Sequence, residues 1–389
     1  MSHFDCLVIG AGFAGAVTAG ELARRGNKKV LVLERRSHVG GNAYDCPDAH
    51  GILIHQYGPH IFHTGDRRVY DYLSQYTDWR HYEHKVVANI PVKTGRTQMP
   101  VPFNLTSLEL AFPPEKAARL EQKLIAAYGP ERKVTILELR QNADPEIAAL
   151  ADYVYDHVFV RYTMKQWGQT PEEIDPATTA RVPVFLSRDC RYFQDPYQGM
   201  PLEGYTPMFE SILNHPNITV ELNTDAAARL ELADGQIKLD GEIFDGPVIY
   251  TGAADELFGC RFGQLPYRTL DFRFETLHQD TYQTHGTVNY TMDEDFTRIT
   301  EFKHLTGQER HGVTTIMKEY SRAYTGADGE IPYYAIISQA NNALYGQYAD
   351  LAARFPNLHL LGRLAEYKYY NMDAIAGRAL ELADTLLGG

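Results

Sequence analysis

The sequence predicts an α/β protein: a discontinuous Rossmann-like domain, interrupted by a helical insertion and an antiparallel β-sheet domain. Three observations predict it. An apolar run enters a glycine loop near the start, and similar runs return near residues 248 and 358. Residues 104–180 carry helix caps and helical apolar spacing. Residues 260–345 alternate apolar and polar side chains, as strands with one solvated face do.

The elements follow in order. Phe4–Ile9 reads as a buried parallel strand, and Gly10-Ala11-Gly12-Phe13-Ala14-Gly15 opens a small-residue helix through Ala23. Val30–Leu33 is a second strand, closed by Glu34. This is the βαβ dinucleotide fingerprint. Gly10 makes the turn, Gly12 lets a pyrophosphate approach the helix N-terminus, Gly15 permits close helix–strand packing, and Glu34 faces a ribose. Glu34-Arg35-Arg36 is followed by Gly40-Gly41-Asn42, a glycine pair like the second phosphate loop of flavoproteins; this favours FAD over NAD. Val248–Ala253 and Leu358–Arg363 are later strands, and Asn371 or Asp373 caps a last helix whose N-terminus suits the flavin pyrimidine.

In the insertion, Pro113-Pro114-Glu115 opens a helix to Tyr128, Thr135 with Glu138 forms a capping box, and Asp144-Pro145 opens a helix to about Tyr162. Leu270–Phe274 and Val288–Tyr290 read as antiparallel strands. The expected division is 1–78, 205–256 and 356–389 for the FAD-binding domain. Residues 104–182 form the helical substrate and lid domain, and 79–103, 183–204 and 257–355 the sheet domain.

Composition bounds the function. The 389 residues are 44% hydrophobic and 22% charged, which excludes a largely disordered chain. A net charge of −13 disfavours a nucleic-acid binder. No long uncharged apolar run predicts membrane insertion. The four cysteines are scattered without a CxxC pair, so neither a metal centre nor a disulfide framework is expected. The start lacks a basic segment and cleavage site, and the expectation is a cytoplasmic protein. The 26 tyrosines cluster at 192–205, 333–345 and 367–370, where flat faces with hydroxyls suit sugars and phosphates.

The combination resembles the prokaryotic UDP-galactopyranose mutase family. The matching pieces are Gly10–Gly15, Gly40-Gly41-Asn42, Gly58–Thr64, Lys165-Gln166-Trp167, Arg298–His304 and Gly362–Tyr369. The resemblance implies an isomerase of UDP-galactopyranose and UDP-galactofuranose that needs reduced FAD yet makes no net redox change. Flavin N5 attacks the anomeric carbon while UDP leaves and returns. The partner is a UDP-sugar, and a homo-oligomer stays open.

The resemblance implies the site. Arg181, Arg298, His60 and Arg363 are expected to be catalytic. Cofactor contacts are Gly10, Gly12, Phe13, Ala14, Gly15, Glu34, Arg35, Gly41, Asn42, His60, Ile61, Arg363, Asn371, Met372 and Ile375. Substrate contacts are His84, Phe159, Tyr162, Thr163, Trp167, Arg181, Tyr192, Asn289, Arg298, Tyr334 and Tyr369. On the residues alone, Phe159, Tyr162 and Thr163 fit a core stripe as well as a uridine platform. Arg298 fits an ion pair with Asp293-Glu294-Asp295 as well as a phosphate site. Asn371 stands where many relatives carry an acid. His60 is expected to offer its backbone carbonyl to flavin N5–H, and about 168–181 to form a mobile lid. The alternative is a flavin amine-oxidase-like redox enzyme. A flavin-fold binding protein would show a broken glycine loop, and this chain does not.

Overall fold

The computed structural model describes residues 4–92, 95–168, 170, 173 and 183–388. Arg181 and the expected lid, apart from Gly168, Thr170 and Glu173, lie outside the described residues.

Five parallel strands form the central sheet, in the order Ile218–Glu221, Val30–Leu33, Cys6–Ile9, Val248–Tyr250, Leu358–Leu360. Cys6–Ile9 and Val30–Leu33 are buried throughout, as strands covered on both faces must be, which is why they read as unbroken apolar runs. The helices Phe13–Arg24 and Met372–Leu387 pack together over this sheet. Three distant pieces of chain therefore build one layer, as expected. The edge strand Ile218–Glu221 carries no such run, because only one side of it is covered.

The insertion is helical, with one correction. Asp144 caps Pro145–Val154 by accepting from Glu146 N–H at 2.8 Å. The helix does not stop near Tyr162. A π-turn spans Tyr155–Phe159, and an α-helix continues over Val160–Trp167. The wider turn shifts the phase of side chains after it. Phe159 lies in the insertion's core at 4% exposure, beside Tyr155. Thr135 accepts from Glu138 N–H at 3.1 Å, while the Glu138 carboxylate faces Arg132 at 3.6 Å.

The large sheet has seven strands, from Tyr334–Ala335 at one edge to Gly95–Val101 at the other. It is antiparallel except where Thr287–Asn289 runs parallel to Val86–Val92, so the expected all-antiparallel sheet is mixed. The expected strand region also ends in a helix, Gln339–Ala352, started by Ser338 accepting from Asn341 N–H at 3.1 Å. Register decides what matters next. Phe272 lies opposite Glu319, Glu319 opposite Arg298, and Arg298 opposite Asn289. Opposed residues share a face, so these four side chains form one row across the sheet.

Candidate functional site

A cavity of about 560 Å³ opens beyond the carboxyl ends of the parallel strands. In open α/β sheets this is where ligands bind. Its wall includes Gly10, Gly12, Phe13, Ala14, Glu34, Arg35, Gly41, Asn42, His60, Arg363, Asn371, Met372 and Ile375. Of the expected cofactor residues, Gly15 and Ile61 stand behind this wall. Gly15 serves packing: a Cβ there would sit 1.9 Å from the Gly10 carbonyl oxygen. Ile61 packs against the main core.

Gly12 is the N-cap of the first helix, and a Cβ on it would meet Gly41 Cα at an ordinary 3.5 Å. The two glycine loops therefore lie backbone against backbone, with Gly41 at φ +56°. Glu34 braces them, accepting from Ala11 N–H at 2.8 Å and Arg36 N–H at 2.9 Å. Arg35 is turned to Glu256 at 3.2 Å. Its neighbour Arg36, which the sequence reading passed over, donates to Asn42 Oδ1 at 2.9 Å and lies over the Tyr57 ring. Arg36 Nη1 is buried at the cavity wall without a protein partner. Asn371 holds the N-cap position of the last helix, which settles the choice against Asp373, and makes no side-chain cap bond. Two helix N-termini, an unsatisfied guanidinium nitrogen and a glycine cradle fit a dinucleotide diphosphate.

The second half of the site sits on the large sheet beside this cavity. Arg298 Nε donates to Glu319 Oε1 at 2.5 Å, and Glu319 is fully buried with Oε2 unpartnered. The neighbouring acids are spent elsewhere, Asp293 on Arg161 at 3.1 Å and Glu294 on Arg96 at 2.8 Å. Burial opposes the Arg298 charge most strongly, but Glu319 together with the Tyr162 and Tyr334 phenols outweighs it and holds the guanidinium well above its ordinary range. The Arg298 Nη groups donate to no described residue. Asn289, next in the row, is 8% exposed with Oδ1 unpartnered.

Aromatic groups wall this patch. Tyr334 stacks on Tyr369 at 6.0 Å, and Trp167 lies 5.6 Å from Tyr334. The Arg363 guanidinium lies over the Tyr369 ring at 4.8 Å and donates to Tyr370 O at 2.5 Å. Tyr192 meets His84 edge-on at 5.7 Å. Burial raises the Tyr334 phenol to about 12 and raises Tyr162 further, so both remain hydroxyl donors. Burial lowers His60 and His84 to about 3 each, and both imidazoles are neutral at neutral pH. His60 Nδ1–H donates to Gly58 O at 2.8 Å. Thr163 is buried on the helix that ends at Trp167.

Arg268, also missed from sequence, sets that helix end. It is 8% exposed and donates to Gln166 O at 3.2 Å and Lys165 O at 3.4 Å. A cation on the last carbonyls stabilises a helix C-terminus. Lys165 Nζ donates to Tyr290 O at 2.5 Å and Glu294 O at 3.0 Å, tying the helix to the sheet. Neither contact carried a local signal, because each joins residues more than a hundred positions apart. Among the described residues there is no metal-binding cluster, and no helix is long and apolar enough to cross a membrane.

A family model described as UDP-galactopyranose mutase matches residues 157–369, and one described as an NAD(P)-binding Rossmann-like domain matches residues 8–76. A UDP-galactopyranose mutase of Mycoplasma pneumoniae is 34% identical, covering 99% of this chain and 97% of its own. A probable UDP-galactopyranose mutase of Klebsiella pneumoniae is 35% identical, over 100% and 96%. A dTDP-fucopyranose mutase of Escherichia coli is 36% identical, over 97% of each. A solved structure of reduced UDP-galactopyranose mutase superposes with a TM-score of 0.69 at 16% identity, over 100% of this chain and 94% of that one, which speaks to fold alone. On the end-to-end identity of these relatives and a family description that matches more than half its length, this chain belongs to the UDP-galactopyranose mutase family.

Proposed function

We propose that this protein is an FAD-dependent isomerase that interconverts UDP-galactopyranose and UDP-galactofuranose with no net redox change. The observation that carries the reading is the row Glu319–Arg298–Asn289, walled by Tyr162, Tyr334 and Tyr369, beside a dinucleotide cavity. An amine-oxidase-like site has no use for a buried, oriented guanidinium whose Nη groups donate to no described residue, whereas a departing nucleoside diphosphate needs one.

Bound and reduced, the flavin supplies a nucleophilic nitrogen for the anomeric carbon. The protein's residues do the rest. The two glycine loops and Arg36 hold the cofactor diphosphate, and the Asn371 helix N-terminus faces the ring end. Arg298, kept in one orientation by Glu319, binds the UDP diphosphate as it leaves and returns. Tyr162 and Tyr334 donate hydroxyls there, since burial keeps both protonated. The family resemblance assigns Arg181, which lies outside the described residues, to the same diphosphate. Asn289 Oδ1 accepts from a sugar hydroxyl, and His84 lies beside it. Trp167, Tyr334 and Tyr369 cover the sugar and exclude water. Arg363 balances anionic charge on the reduced ring.

The Escherichia coli relative's name puts a second substrate beside the first, a dTDP-6-deoxyhexose. The test is turnover by purified, chemically reduced protein offered UDP-galactopyranose and dTDP-fucopyranose in parallel. The expected result is many isomerisations per reductant with the UDP-sugar preferred. Faster turnover of the dTDP-sugar would reassign the substrate. One reductant consumed per product would refute the isomerase reading.

A further inference from the structure

Beneath the loop that carries His60 lies a histidine that no part of the chemistry above uses. His55 ends the strand Leu53–His55 and is 0% exposed. Tyr205 and Phe302 pack against its ring at 5.7 and 5.8 Å. Its Nδ1 accepts from His60 N–H at 3.0 Å. An amide can only donate, so Nδ1 carries no proton and the neutral ring carries it on Nε2. Burial lowers this imidazole to about 4, which keeps that tautomer neutral. Nε2 has no protein partner, and the ring lines a second cavity of about 240 Å³ with room for water.

The loop is held at further points. His60 Nδ1–H donates to Gly58 O, and Tyr333 Oη donates to Tyr57 O. Gly58, at φ +89°, leaves its Cβ direction 3.2 Å from Phe272, the end of the Glu319–Arg298 row. The loop thus rests on the substrate-side sheet while its His60 forms the cofactor cavity wall. Among these restraints, His55 alone grips the His60 backbone.

We propose that His55 is a positioning residue for the isomerisation: by accepting the His60 amide proton it fixes the height of the Gly58–His60 loop, and hence of the His60 carbonyl, at the flavin. The inference rests on the flavin-site reading above. Its test separates an acceptor at the Nδ1 position from mere polar filling. In His55→Asn the amide oxygen reaches the place of Nδ1. In His55→Gln the polar end reaches the place of Nε2. His55→Leu fills the space with no acceptor.

Each variant is purified with its flavin, and three quantities are compared with the parent. These are hydrogen exchange at the His60 amide, the flavin midpoint potential, and kcat against KM for UDP-galactopyranose. Stranding a buried donor predicts a loss of about tenfold or more in kcat for Gln and Leu, with KM little changed. The same two variants should exchange the His60 amide faster and shift the potential, while Asn stays near the parent on all three. A structural filler role predicts that Gln, the closer match in volume, does as well as Asn or better. Equal behaviour of Asn and Gln overturns the proposal, as does a parent-like His60 amide in His55→Leu. If Leu fails to fold, the Asn–Gln contrast still decides. A parent that binds no flavin would instead sink the functional reading itself.

Discussion

Arg298→Ala separates what this residue does for folding from what it does for the ligand. Its Nε donates to a carboxylate with 0% exposure, whose other oxygen already lacks a partner. Removing the guanidinium leaves Glu319 charged and buried alone. Breaking a buried ion pair in this way costs about 3–5 kcal/mol. On the proposed function, removing the Nη groups also takes away charged hydrogen bonds to the UDP diphosphate, worth about 1.5–3 kcal/mol, or roughly tenfold to a hundredfold in affinity. The double variant Arg298→Ala with Glu319→Gln removes the stranded charge as well. It should recover most of the lost stability and none of the lost affinity. Urea denaturation measures the first quantity and calorimetric titration with UDP the second, on flavin-loaded protein. Flavin content should stay normal, since neither residue lines the dinucleotide cavity. Parent-like UDP affinity in the single variant would remove Arg298 from the substrate site. A double variant no more stable than the single would refute the buried-charge argument.

Gly15→Ala should fail to fold, because its Cβ would lie 1.9 Å from the Gly10 carbonyl oxygen; Gly12→Ala should fold, because its Cβ meets Gly41 at 3.5 Å. Gly12→Val should fold but purify colourless, its methyl groups prying the two glycine loops apart; circular dichroism and flavin absorbance check all three. Arg268→Met should loosen the end of the Val160–Trp167 helix, and Trp167 emission should then respond less to UDP; an unchanged response would show that the Arg268 hydrogen bonds do not hold Trp167. The hydrogen bond to Glu301 raises the His304 pKa above 6.5. A raised folded value stabilises fully below the unfolded pKa and loses its effect as pH rises through the folded one. The stability gap between parent and His304→Gln should therefore be greatest below pH 6.5 and shrink above it, staying under about 1 kcal/mol because the histidine is part-exposed; a gap that widens with pH would reverse the sign.

Local chemistry made the cofactor half legible in the sequence. A glycine loop between a buried strand and a small-residue helix has one steric solution, and Gly10, Gly15 and Glu34 stand within one βαβ unit. The caps at Asp144 and Thr135 act over two or three residues, so they too could be read directly. What required the tertiary structure acts across the chain. Arg35 and Arg36 are equivalent in sequence, and only the fold sends one to Glu256 and leaves the other's Nη1 buried at the cavity. Phe159 fits a core stripe and a uridine platform equally in the sequence, and only the packing of the insertion puts it in the core. The Arg298 partner could not be chosen from the acids at 293–295, because strand register and not sequence distance brings Glu319 opposite. His55 and Arg268 meet their partners through hydrogen bonds with backbone groups that the fold delivers to them. Sequence specifies a contact when the partners lie within a turn or a strand of each other; beyond that, sheet register and the burial of charge decide which groups meet.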